Sequence, residues 1–244
     1  GTAYLLNDLP LASSRMFGDI DILLDTNEIA DIEHALKYHG WFSQKTDDHD
    51  QAYYRDYMHE IPPMQNIERG AILDIHHNIL PICNNNTIEI AALTQHKKQV
   101  NQQLTAKASA LEYVLSPEAL FMHSAIHLFH EGEFDKGLRG LSDLDLLFSD
   151  FSENEADFSQ RLISLAQEIH QQKSLYFAWH YLQLIFERPL NKIANEYVSS
   201  YQRNNKPAKI NDFIFCYQLD VHHQTTRSWQ FTLSSQLAYW RGHL

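Results

Sequence analysis

Cysteine is scarce in this 244-residue chain: only Cys83 and Cys216 occur, with no Cys-x-x-Cys pattern between them. They offer no redox or metal motif and fit a reducing compartment. No stretch approaches the roughly 20 consecutive apolar residues that a membrane helix requires, and no cleavable signal peptide is recognisable. The expected compartment is therefore the cytoplasm, and no membrane partner is expected. Basic residues are also few. Nineteen Lys and Arg stand against 31 Asp and Glu, for a formal net charge of −12. Binding to a phosphate backbone is driven by clustered basic side chains, so long DNA or RNA is disfavoured as a partner. A small nucleotide escorted by magnesium is compatible with the charge, because the metal brings its own positive field. An initiating Met is missing too. The chain opens on Gly1-Thr2-Ala3-Tyr4-Leu5-Leu6 with an apolar pattern already running, so the natural N-terminus is expected to lie upstream.

What is present is an ordinary globular composition, with 44% hydrophobic and 20% charged residues. Its length allows one large domain or two small ones. The pattern changes near residue 105. Before it, the spacing predicts a short helix over 2–9, a strand over 19–24 and an amphipathic helix over 27–39 ended by Gly40. A polar, mobile stretch over 43–51 is expected next, then strands over 52–60, 71–79 and, more weakly, 87–91. After it, helical periodicity runs through 117–131, 137–149, 155–172 and 174–187, with further helices near 190–203, 211–222 and 229–241. Ser116-Pro117-Glu118 reads as a helix start, with a hydroxyl cap, proline at the first position and an acid near the positive dipole end. The expected fold class is α+β: a small mixed sheet with helices over 1–105, followed by an all-helical part over 106–244.

The chemistry-bearing segment is Gly18-Asp19-Ile20-Asp21-Ile22-Leu23-Leu24. On a strand, Asp19 and Asp21 share one face while Ile20, Ile22 and Leu24 point into a core. Two residues of rise separate their Cα atoms by roughly 6–7 Å, and such carboxylates can converge on cations held about 3.5–4 Å apart. Magnesium favours a few carboxylate oxygens together with phosphate and water. Asp74 stands alone in the apolar run Ala71-Ile72-Leu73-Asp74-Ile75-His76-His77 and needs a partner there; a shared metal site would supply one. The competing reading is that an Asp-x-Asp pair caps a solvated turn. His76 shares the Asp74 face and is a candidate for the same site. His123, His127 and His130 recur at i, i+4 and i+7 on one helix, spacing compatible either with metal ligation or with a polar helix face; no His-Glu-x-x-His motif accompanies them.

Gly1-Thr2, Arg15, Gly18-Asp19-Ile20-Asp21 and Leu73-Asp74-Ile75-His76, with Leu115-Ser116-Pro117-Glu118, the histidine-bearing helix and Leu138-Arg139-Gly140-Leu141-Ser142-Asp143, resemble the DNA polymerase β-like nucleotidyltransferase superfamily. They resemble more narrowly its bacterial branch labelled "nucleotidyltransferase family protein", over roughly residues 1–148. The resemblance implies that Asp19, Asp21 and Asp74 hold two Mg2+ ions. It implies that Gly1 and Thr2 open a helix whose free N–H groups hold the triphosphate, and that Asp74 helps to deprotonate an acceptor hydroxyl. Arg15 either neutralises phosphate or braces Asp19 or Asp74. The activity implied is magnesium-dependent transfer of a nucleoside monophosphate from a nucleoside triphosphate to a hydroxyl on a small molecule or protein. The alternatives are a catalytically inactive nucleotide- or partner-binding protein of the same fold, and a metal hydrolase built on His123, His127 and His130.

Overall fold

The computed structural model describes residues 2–14, 16, 18–83, 88, 90–100, 113–130, 134, 136–206, 209–219 and 229–243, with side chains at all of these except 14 and 241–243. The fold is α+β, with a small mixed sheet in the N-terminal part and helices throughout the C-terminal part. Two compact units emerge. One comprises 1–84 and 98–114, the other 85–97 and 115–244. Among the described residues no helix is long and apolar enough to cross a membrane.

In the first unit, α1 (Thr2–Leu6) leads through a 3-10 turn (Pro10–Ser14) to β1 (Asp19–Leu23). Next come α2 (Ile29–Tyr38), β2 (Trp41–Ser43), α3 (Asp48–Tyr57), β3 (Met64–Asn66) and β4 (Ile72–His76). The sheet order is β1-β4-β3-β2; β1 runs parallel to β4, and the other pairs are antiparallel. Ile75 and Met64 are fully buried and pack with Leu73, Ile61 and Ile29, flanked by Ile22, Leu24, Leu36 and Trp41. These residues come from one face of the sheet and one stripe of α2, as the period-2 and period-3.6 patterns require. Gly40, at φ +79°, ends α2 in the left-handed conformation that favours glycine.

Two local expectations fail in this unit. Residues 52–60 do not form a strand: Asp48–Tyr57 is helix α3. The side chain of Asp47 accepts a hydrogen bond from His49 N at 2.8 Å, Asp48 and Asp50 occupy the first turn, and Tyr53 stacks on Tyr57 one turn later. Capping and dipole complementarity outweigh the strand preference of an aromatic-rich run. The polar stretch before it contains that cap and the end of β2. Ile20 also differs from expectation. It is 38% exposed rather than in the core, because β1 is the edge of the sheet.

The second unit begins with α4 (Ile90–Gln95), where a weak strand was expected; Thr87 and Glu89 lie outside the described residues. The short strands β5 (Lys97–Gln99) and β6 (Tyr113–Leu115), most of whose residues belong to the first unit, pair with each other. Among the described residues seven helices follow: α5 (Pro117–His130), α6 (Gly137–Asn154), α7 (Phe158–Glu168), α8 (Gln172–Phe186), α9 (Lys192–Asn205), α10 (Lys209–Gln218) and α11 (Trp229–His243). Ser116 caps α5 as expected, its hydroxyl accepting from Ala119 N at 3.4 Å. α5 packs against α6, α7 and α8 and is apolar on nearly every side. Phe129, fully buried, lies 5.0–5.7 Å ring to ring from Phe215, Phe177 and Tyr181.

Truncating the residue at the centre of that aromatic cluster should leave a void the neighbouring rings cannot fill. Phe129→Ala is expected to destabilise the chain by about 3–5 kcal/mol, measured by urea unfolding followed by circular dichroism.

Candidate active site

The carboxylates meet because of strand register. In the parallel β1–β4 pair, Asp21 lies directly opposite Asp74 and Leu23 opposite His76. Residues opposite one another across a pair share a face, as do residues two apart along a strand. Asp19, Asp21, Asp74 and His76 therefore stand on one side of the sheet, while Ile22, Leu73 and Ile75 occupy the other and face the core. Asp19 and Asp21 are exposed and Asp74 half-buried, so the group opens to solvent at the sheet edge.

Its electrostatics are strained in one direction. Burial, then the negative charges of Asp19 and Asp21, push the Asp74 carboxyl above the usual carboxylate range; His76 offsets this in part. Asp74 Oδ1 is buried with no hydrogen-bond partner among the described residues. Burial works against the charged form of His76, but its hydrogen bond to Asp21 and the charges of Glu60, Asp21 and Asp74 prevail and raise its pKa. His76 Nε2 lies 3.4 Å from Asp21 Oδ1 and 3.6 Å from Glu60 Oε2. A set of oxygen donors with an orphaned buried oxygen and an excess of negative charge suits a hard divalent cation.

Thr2 lies beside the start of β1, its hydroxyl donating to the Asp19 carbonyl oxygen at 3.4 Å. Gly1 and Arg15 lie outside the described residues. The histidine stripe of α5 does not gather. The rings of His123 and His127 stack at 6.1 Å, whereas His130 Nε2 lies 3.0 Å from the buried Ser174 hydroxyl of α8. Among the described residues, the three-group cluster with metal-ligand spacing is His59, Glu60 and His76 instead. Sequence reasoning did not identify His59 or Glu60. They reach His76 through an isolated antiparallel bridge between Glu60 and His76, a tertiary pairing with no local signature.

Asp74→Asn removes a carboxylate from a crowded group that His76 compensates only in part. It is expected to raise the melting temperature of chelator-treated protein, on the order of 2–4 °C for each kcal/mol of repulsion relieved, and to abolish any further rise on adding Mg2+. Differential scanning calorimetry with EDTA and with MgCl2 reads both effects; a lower melting temperature in EDTA would show that Asp74 supports the fold.

Comparison with curated proteins and with solved structures gives no significant match. A family model described as "Uncharacterised nucleotidyltransferase" matches residues 1–187, well beyond the stretch ending near residue 148 that carries the sequence resemblance. That match spans the carboxylate-bearing sheet and continues to the end of α8, and the chain belongs to this uncharacterised nucleotidyltransferase family.

Proposed function

We propose that the chain is a magnesium-dependent nucleotidyltransferase that moves a nucleoside monophosphate from a nucleoside triphosphate to a hydroxyl on a small molecule or protein. The observation that carries this reading is the in-register pairing of Asp21 with Asp74, with Asp19 on the same face. Asp19, Asp21 and Asp74 are the residues that would hold two Mg2+ ions. When bound, such ions neutralise phosphate charge and favour the ionised acceptor hydroxyl. Asp74, whose proton affinity is raised by burial and by its acidic neighbours, is suited to receive the proton of the acceptor hydroxyl. The acceptor oxygen forms a bond to the α-phosphorus, the bond from that phosphorus to the bridging oxygen breaks, and pyrophosphate departs with the electron pair. Little covalent work falls to the protein in such a transfer; positioning and charge neutralisation dominate.

His76 has a supporting role in this reading. Its Nε2, 3.4 Å from Asp21 Oδ1, orients that carboxylate toward the shared face. Thr2, beside the first residue of β1, and Gly1 and Arg15 by resemblance, are assigned to the phosphates. The scarcity of basic residues supports a ligand that arrives with its own cations.

The test is a calorimetric titration of ATP, GTP, CTP and UTP into the full chain, with and without Mg2+. Magnesium-dependent binding of at least one nucleotide is expected, falling below detection in the Asp19→Asn/Asp21→Asn variant with its circular dichroism spectrum unchanged. Absence of binding to all four nucleotides would overturn the reading in favour of a partner-binding protein of the same fold, and undiminished binding by the double variant would move the site elsewhere.

A further inference from the structure

One polar cluster in the sheet-bearing unit is only partly used by the carboxylate face. His59, Glu60 and His76 each offer a ring nitrogen or carboxylate oxygen, and these three atoms lie within 4.8 Å of one another. The backbone fixes their approach. Glu60 bridges to His76, His77 N donates to His59 O at 2.9 Å, and Ile61 N donates to Ile75 O at 3.0 Å. The rings of His59 and His76 stack with centroids 5.3 Å apart. His59 is 8% exposed, and the side chains of Glu60 and His76 are 18% and 20% exposed. This is a sheltered, preformed arrangement rather than a solvated acidic patch.

The donor set differs in kind from the carboxylate face. Two imidazole nitrogens and one carboxylate oxygen suit zinc and its first-row neighbours, whereas magnesium prefers oxygen alone. Two ligands about 2.1 Å from a tetrahedral ion stand about 3.4 Å apart. His76 Nε2 is 3.6 Å from Glu60 Oε2, so that edge of the tetrahedron is already near its required length. Water would take the fourth position of such an ion.

We propose that His59, Glu60 and His76 form a binding site for a divalent ion of the zinc class, separate from the magnesium centre. Because His76 belongs to both groups, occupancy of this site withdraws its Nε2 from Asp21. Zinc supply is thereby coupled to the carboxylate face. The site requires only these three side chains and stands independently of the nucleotidyl-transfer reading.

The full chain, stripped with chelator and dialysed, is titrated with Co2+ and then Zn2+ in excess Mg2+. One equivalent of cobalt is expected to give the intense visible bands of a four-coordinate ion, which zinc abolishes and magnesium does not. Zinc affinity should fall at least about tenfold in Glu60→Gln and in His59→Ala, and persist in Asp19→Asn/Asp74→Asn. Glu60→Gln keeps the test decisive should His59→Ala, a buried truncation, fail to fold. Absence of zinc binding at one equivalent, wild-type affinity in Glu60→Gln, or loss of zinc in Asp19→Asn/Asp74→Asn would each overturn the proposal. Nucleotide titration is read separately, so failure of either reading leaves the other intact.

Discussion

Parallel pairing of β1 with β4, in a register that sets Asp21 against Asp74, is the constraint on which the sheet-bearing unit depends. The register is fixed from below. Ile75 is fully buried and Leu73 nearly so, packed with Met64, Ile61 and Ile29, and Ile22 joins them from β1. A slip of one residue would turn Asp74 into that core and Ile75 out to solvent. Apolar burial therefore holds the carboxylates together against their mutual repulsion. The strain is visible in the raised pKa of Asp74 and in its buried Oδ1, which has no hydrogen-bond partner among the described residues. Groups arranged at a cost to the free fold are characteristic of sites whose geometry serves a ligand.

Much of this was legible in the sequence, because it rests on strand alternation. The sequence Asp19-Ile20-Asp21-Ile22 and the lone acid among apolar neighbours at 72–75 carry their two-faced character in their own order. The helical unit was legible for a similar reason: periodicity and the Ser116-Pro117-Glu118 start are local signals. Failures occur where tertiary context decides. β2 and β3 have three residues each, too short for a periodic pattern to register. α3 displays strand-forming tyrosines, but its formation is decided by Asp47 and the acids behind it. Ile20 alternates like a core residue but is exposed, on a strand that among the described residues has a neighbour on one side. His59 and Glu60 gain their chemical company from a bridge to His76, which no local pattern announces.

The helical unit shows where several of the few basic side chains are engaged. Arg188 pairs in bidentate fashion with Asp145, both contacts at 2.5 Å. Arg161 pairs with Glu118, Glu155 and Asp157, and Glu118, 8% exposed, also meets His96 at 3.7 Å. In the sheet-bearing unit Arg55 is paired with Glu33 at 3.0 Å. Guanidinium groups committed to internal carboxylates are poorly placed to neutralise a nucleic-acid backbone. Part of the scarce positive charge is thus used in tying elements of each unit together.

His76 is where the two demands of the sheet edge converge. Desolvation alone would lower its pKa, yet the hydrogen bond to Asp21 and the charges of Glu60, Asp21 and Asp74 outweigh it and raise the pKa. Asp74 shows the same imbalance from the acidic side, retaining its proton more tightly than an isolated carboxylate. The negative charge of the face contributes to both shifts, while burial adds to the rise at Asp74 and opposes it at His76. The protein can relieve that charge by binding protons or by binding a cation, and the two compete for the same oxygens and the same nitrogen. A hard ion held by Asp19, Asp21 and Asp74 leaves His76 free to brace Asp21. A softer ion on His59, Glu60 and His76 removes that brace. On the two proposals, the cation bound would determine whether the Asp21 carboxylate keeps its contact with His76.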